Sequence, residues 1–197
     1  MSAAQYFYSD IKSTELTVDP RELCARLKAE NGFKNNILER CRKRLFKEMT
    51  CAYSAVRTDV VYTGENKLDL GFGEIESGDL CRVLSGVKEA FIFAVTLGHG
   101  ADLLINRLAV MSPAEYFITD ALASAYAEAA ADFAENALKS GLLCTPRFSP
   151  GYGDLPLSVQ AGVLSSVRAD RTLGITLSAA MLMSPKKSIT AIMGIKA

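Results

Sequence analysis

The sequence predicts an α+β fold, an antiparallel sheet packed with long helices, and three observations carry that expectation. Strand-like segments are grouped together and interrupted by long helices, which is not the regular βαβ winding of a parallel sheet. Ala90-Phe91-Ile92-Phe93-Ala94-Val95 is a continuous apolar run of strand length, the pattern of a central strand buried on both faces. An alanine-rich stretch over roughly 113–139 has the composition and length of a single long helix. With 197 residues the chain is long enough for one full core, and it shows no repeat, low-complexity tract or linker, so residues 1–197 read as one domain.

Each element has a local cause. Asp19-Pro20-Arg21-Glu22 supplies a capping carboxylate and a proline at the first helical position, predicting a short helix to about residue 30. After Asn31-Gly32, Leu38, Cys41, Leu45 and Met49 recur at helical spacing and predict a second helix over roughly 33–51. Alternation from Tyr53 to Tyr62 and around Leu68, Leu70 and Phe72, with Gly64-Glu65-Asn66 between, predicts a hairpin. A short helix is expected over 78–84, the central strand at 90–95, and a helix near 101–110. Ser112-Pro113-Ala114-Glu115 reads as a capping box that opens the long helix, which should end near Gly141. Three prolines and two glycines between Cys144 and Leu157 exclude a regular helix or a ladder-forming strand there. A helix over 158–168 and two strands over 174–183 and 188–195, joined through Ser184-Pro185-Lys186-Lys187, complete the chain.

Composition narrows the function. Apolar residues make up 49% and charged residues 22%, the balance of an ordinary globular protein. The 22 basic and 22 acidic side chains cancel, so no field of one sign is available to gather nucleic acid. Five widely spaced cysteines without a C-x-x-C pair argue against a disulfide framework and against a zinc knuckle, and point to the cytoplasm. Neither a signal peptide nor a membrane helix is recognisable.

Several clusters invite a chemical reading. His99, the single histidine, lies between glycines with no nucleophile marked for it, so a surface turn is expected and a hydrolase built on it is a remote alternative. Gly71-Phe-Gly73 and Gly98-His-Gly100 lack the full phosphate fingerprint and read as tight turns. Asp120, Ser124, Glu128 and Asp132, four apart, form one polar stripe, either a wet face or a pocket wall. Arg40, Lys43, Arg44 and Lys47 form a basic stripe, solvated or docked on an acidic protein. No metal site and no catalytic residue is expected.

The segment from Cys144 to Leu157 is different, because a turn requires no arginine and no aromatic rings. Arg147 can grip a carboxylate through two parallel hydrogen bonds, Gly151 lets a ligand approach the backbone, and Tyr152 offers an aromatic face with a polar tip. The chemistry fits a small ligand with a carboxylate and a flat ring. A rigid loop whose arginine pairs with an acid such as Asp154 is the alternative.

At this loop Arg147-Phe-Ser-Pro-Gly151-Tyr152 resembles the R-x-x-x-G-Y motif of the activation domain of cobalamin-dependent methionine synthase, and the extended form through Gln160 resembles its short, stand-alone branch. Phe93-Ala-Val-Thr-Leu-Gly98, Ala127-Glu128-Ala129 and Leu182-Met-Ser-Pro185-Lys-Lys-Ser188-Ile-Thr190 are similar to further segments of that family, extending the likeness over roughly residues 33–195. The resemblance implies an S-adenosylmethionine site formed by Arg147, Ser149, Gly151, Tyr152 and Glu128. It implies cobalamin only through a partner protein: the cobalamin-binding domain of a methionine synthase or a related corrinoid protein, with a flavodoxin-like electron donor and no nucleic acid or membrane partner. The family's large members add an acidic contact from an N-terminal extension and an aromatic one beyond the last strand, and neither can be placed in this sequence. The implied activity is reductive methylation of cob(II)alamin. A non-catalytic module that senses S-adenosylmethionine or binds a corrinoid protein is the alternative.

Overall fold

A strand that is apolar on both faces has to be covered on both sides, and the architecture follows from that requirement. The structure is a computed structural model and describes residues 5–27 and 36–196. In chain order its elements are β1 (Gln5–Ile11), a 3-10 turn (Ser13–Glu15), α1 (Pro20–Leu27), α2 (Asn36–Glu48), β2 (Cys51–Asp59), β3 (Val61–Gly64), β4 (Lys67–Asp69) and β5 (Glu74–Glu76). There follow α3 (Gly78–Val83), β6 (Glu89–Thr96), α4 (His99–Met111), α5 (Pro113–Lys139), α6 (Val159–Ser166), α7 (Ala169–Thr172), β7 (Thr176–Leu177), β8 (Met183–Ser184) and β9 (Ser188–Ile195).

Among the described residues the main sheet is antiparallel, in the order β1-β2-β6-β9, with Phe93 opposite Ala55 on one side and Ala191 on the other. Side-chain alternation along β6 divides the core. Phe91, Phe93 and Val95 join a cluster with α2, α4 and α5, while Ala90, Ile92 and Ala94 join one with α3, α6 and α7. Phe91, Phe93 and Ile92 are fully buried, and burial of a side chain of this size contributes about 1.5–3 kcal/mol. Among the described residues no helix is long and apolar enough to cross a membrane.

The helices start and stop where the sequence chemistry directs. The Asp19 carboxylate accepts from the Arg21 backbone N–H at the start of α1. Ser112 caps α5 by accepting from Glu115 N, and Pro113 occupies the first helical position. The Glu115 carboxylate, expected to close a capping box, is held by Arg40 and, at 2.6 Å, by Arg44 of α2. Two members of the basic stripe therefore clamp α2 to α5. At the other end Ser140 takes the left-handed conformation that stops the helix, one residue before Gly141.

Three expectations need correction. The stretch from Tyr53 to Tyr62 is not one hairpin arm. It breaks at Val60 into β2, in the main sheet, and β3, which pairs with β4 in a separate small sheet across the Glu65-Asn66 turn. The interval 174–183 holds no continuous strand: β7 pairs with β8, which begins at Met183, as a hairpin of two two-residue strands. The second helix ends at Glu48, because Cys51 already enters β2. Its expected start at 33, like the expected end of the first helix at 30, lies outside the described residues. The strand β1 and the short α7 were not anticipated.

Gly98 and Gly100 are explained by packing. A Cβ on Gly100 would overlap the backbone carbonyl of Glu48, and one on Gly98 would strike the Thr50 side chain. The N-terminus of α4 thus sits directly on the chain joining α2 to β2, and no phosphate role is needed to account for the glycines. Gly100→Ala should lower stability by at least about 2 kcal/mol, because backbone rather than a flexible side chain has to move. Urea denaturation of the two proteins checks this.

Candidate functional site

The irregular segment between α5 and α6 is anchored on the outer edge of β9. Phe148 and Ile192 exchange backbone hydrogen bonds at 2.8 Å, Thr145 N donates to Gly194 O, and Lys196 N donates to Leu143 O. Pro146, which lacks an N–H, falls between the paired positions and keeps these contacts isolated bridges. Beyond Phe148 the chain folds on itself: Gly151 N donates to Leu155 O and Tyr152 N to Ser149 O, with Gly151 at φ +88°. A residue with a side chain would be strained there.

Asp154 does not pair with Arg147, contrary to one reading of the sequence. Its carboxylate accepts from the Ser77 hydroxyl and from Gly78 N and Asp79 N, capping α3 and tying the loop to it. These bonds hold the Asp154 carboxyl below the usual range, the Ser77 hydroxyl contributing most.

Arg147 turns toward α5 instead. Its Nη2 donates to Glu128 at 3.0 Å, and its Nη1 donates to Glu135 at 2.9 Å and to Asp132. Lys139 also holds Glu135. Three of the five guanidinium N–H donors are therefore engaged and two remain. Burial works against the charge on Arg147, yet the Asp132 and Glu135 carboxylates outweigh it and raise its pKa. For Glu135, burial would raise the pKa, but Lys139 and Arg147 together lower it. The upper half of the same stripe is paired as well, since Lys187 Nζ reaches Asp120 at 2.7 Å and Ser124 at 2.8 Å. The stripe is half-wet, with Asp132 exposed, and its side chains are nonetheless engaged. It latches two loops to the long helix.

Beside this cluster lies a cavity of about 310 Å³, lined by Glu128, Arg147, Phe148, Ser149, Pro150, Tyr152, Gln160, Met183, Ser188, Ile189 and Thr190. Of the residues singled out in the sequence, Glu128, Arg147, Ser149 and Tyr152 line it directly, and Gly151 makes the turn between two of them. Tyr152, 65% exposed, stands at the mouth. Gln160, Met183, Ser188 and Thr190 were not singled out as site residues. The signal was their position, since Gln160 ends the extended loop motif and the other three lie in the segment Leu182–Thr190. Residues from three separate stretches of the chain thus converge on one cavity.

The remaining candidates lie elsewhere. His99 Nε2 is 3.2 Å from the Gly174 carbonyl and does not line the cavity. Gly71 and Gly73 donate their N–H groups to Asp69, forming the expected tight turn. All five cysteines are free, and burial pushes the Cys51 thiol up to about 12. Among the described residues no group of three or more His, Cys, Asp or Glu side chains is gathered to hold a metal.

A helix-covered antiparallel sheet whose outer strand, capping loop and longest helix border a cavity defines an α+β domain with a candidate small-molecule site. A scan against protein-family models gives no match, and a search of curated proteins gives none. Among solved structures, the crystal structure of the MetH reactivation domain bound to AdoHcy is similar, with a TM-score of 0.69 and 14% sequence identity, covering 98% of this chain and 78% of that chain. The likeness establishes the fold.

The Glu135 environment makes an acid-dependent prediction. Because its folded pKa lies below its ordinary 4.5, the group contributes stability above that pH, which is lost as pH falls through the folded value. Urea midpoints measured from neutral pH down to below 4.5 should fall less steeply for Glu135→Gln than for the wild type. Identical slopes would show that the carboxylate cluster is not coupled to folding.

Proposed function

We propose that this chain binds S-adenosylmethionine in the Arg147–Tyr152 cavity and serves as a reactivation component for a cobalamin-dependent methionine synthase or a related corrinoid protein. The observation that carries the reading is the convergence of Glu128, Arg147, Ser149 and Tyr152 on one cavity within a fold similar to a domain solved with AdoHcy. The volume of about 310 Å³ is at the lower end of the range of about 300–1,000 Å³ for small-molecule sites.

The charges suit a zwitterion that carries an additional cation. Two unused N–H donors of Arg147 remain for a carboxylate. The surrounding Glu128, Asp132 and Glu135, balanced only by Arg147 and Lys139, leave one net negative charge for an ammonium or sulfonium. Phe148 and Tyr152 provide faces for a purine, and Ser149, Ser188 and Thr190 provide hydroxyls. None of these groups is arranged as a nucleophile with its base. The chain's contribution is placement: a methyl sulfonium held at a fixed mouth meets the corrin of a docked partner as an organised pair. A corrinoid held by the partner would supply the methyl acceptor: given one electron by the donor protein, it would take the methyl cation, and S-adenosylhomocysteine would leave the cavity.

Calorimetry with S-adenosylmethionine tests the site. Wild type should bind, Arg147→Ala should lose about 1.5–3 kcal/mol, the usual worth of a charge-assisted hydrogen bond, and Tyr152→Ala should bind more weakly while keeping its thermal stability. Equal affinities for all three would overturn the site. Reactivation is separated from mere sensing by mixing the chain with a cob(II)alamin-loaded partner, a reductant and methyl-labelled S-adenosylmethionine. Label should appear in methylcobalamin, and binding without transfer would make the chain a sensing module.

A further inference from the structure

The two edges of the main sheet are treated differently. The β9 edge is covered by residues 143–148, whereas among the described residues no backbone hydrogen bond reaches the outer edge of β1. That edge is seven residues long, Gln5-Tyr-Phe-Tyr-Ser-Asp-Ile11, and contains no proline, glycine or lysine, the residues that commonly blunt an open edge. Tyr6 and Tyr8 are 45% and 53% exposed on it.

We infer that this edge is an interface between two copies of the chain, paired antiparallel about a two-fold axis through Tyr8, so that two four-stranded sheets become one continuous sheet. Tyr8 is the midpoint of β1, and centring there uses the whole strand: Gln5 faces Ile11 of the second copy, Tyr6 faces Asp10, Phe7 faces Ser9, and Tyr8 faces itself. Side-chain faces match under this operation. Phe7 and Ile11 belong to the cluster under α5, with Phe7 edge-on to Phe91 at 5.7 Å, so one apolar layer would continue into the other. Tyr6, Tyr8 and Asp10 occupy the opposite face.

Charge complementarity selects a second copy over an unrelated strand. The Arg168 guanidinium stacks over the Tyr6 ring at 4.3 Å and makes no ion pair among the described residues. Asp10 is the only charged residue of β1, and among the described residues its carboxylate accepts only the Tyr8 hydroxyl. The two-fold pairing sets each Asp10 opposite the other copy's Tyr6, under that copy's Arg168, giving two identical cross-interface pairs and no like charges face to face. The ligand cavity lies at the β9 edge, three strand spacings of about 4.8 Å away, so dimerisation leaves both cavities open.

Sedimentation of the full chain over micromolar to hundred-micromolar concentrations tests this, with the expected species having twice the 21.3 kDa chain mass. Tyr8→Lys, which brings two cations together on the axis at an exposed position, should raise the dimer dissociation constant at least about tenfold. Asp10→Arg should weaken the dimer similarly, and adding Arg168→Asp should restore it. S-adenosylmethionine binding should be unchanged in all of these variants, which separates this interface from the ligand site. A monomer at every concentration, an open-ended polymer, or a dimer indifferent to Tyr8→Lys and to the charge swap would each overturn the proposal.

Discussion

Burial of β6 on both faces is the constraint from which the architecture follows. A strand with Phe91 and Phe93 on one side and Ala90, Ile92 and Ala94 on the other is shut off from water from Ala90 to Thr96. One layer has to be formed by the long helices and the other by the short ones. Ala90 and Ala94 face the short-helix side together with Ile92, where α6 packs against the sheet, and the two phenylalanines face α5. The alanines of α5 serve the same geometry, since Ala123, Ala130, Ala131 and Ala134 are completely buried and allow the helix to lie close to Phe93 and Met193. Once α5 is fixed against the sheet, its polar stripe necessarily borders the β9 edge. The cavity arises at that junction.

The ion cluster there has a structural and a chemical role at once. Arg147 connects an irregular loop to a regular helix across a boundary where neither offers backbone partners to the other. Glu135 is 15% exposed and Arg147 24%, a depth at which either charge alone would be costly and the pair roughly balances its desolvation. Asp132, 61% exposed, adds attraction in water, where screening leaves little of it. The arrangement is therefore better suited to fixing a direction than to supplying stability. It aims the guanidinium along the cavity wall and leaves part of its donor edge available.

Much of this was legible in the sequence, and the failures have physical causes. β6 was recognisable because six consecutive apolar residues exceed what a half-exposed strand requires, and α5 because Ser112 and Pro113 mark its start without ambiguity. β1 was missed because an edge strand with one wet face alternates weakly, and Gln5-Tyr-Phe-Tyr contains three aromatics whichever way it faces. The Tyr53–Tyr62 stretch appeared continuous because alternation does not record which sheet a strand joins, and the break at Val60 follows from the approach of Lys88, which accepts the Val60 N–H. The loop was identifiable as a site because its rings and arginine exceed what a turn needs. The partners of Arg147 were not, since Asp154 is near in sequence while Glu128, Asp132 and Glu135 are near only after α5 has docked.

The contrast between a shared fold and 14% identity follows from the same distinction. Apolar patterning tolerates exchange of one aliphatic side chain for another so long as volume and period are kept, so a two-layered sheet can persist when few residues are retained. A ligand site built from a cation, a turn glycine and an aromatic rim has no such latitude, because a guanidinium cannot be replaced by volume alone. Conserved architecture thus says little about chemistry, whereas the gathering of Glu128, Arg147 and Tyr152 around one cavity says considerably more. Neither His99 nor any of the five cysteines contributes to that cavity. Those residues lie outside the cavity lining, where packing and turn formation are sufficient to account for them.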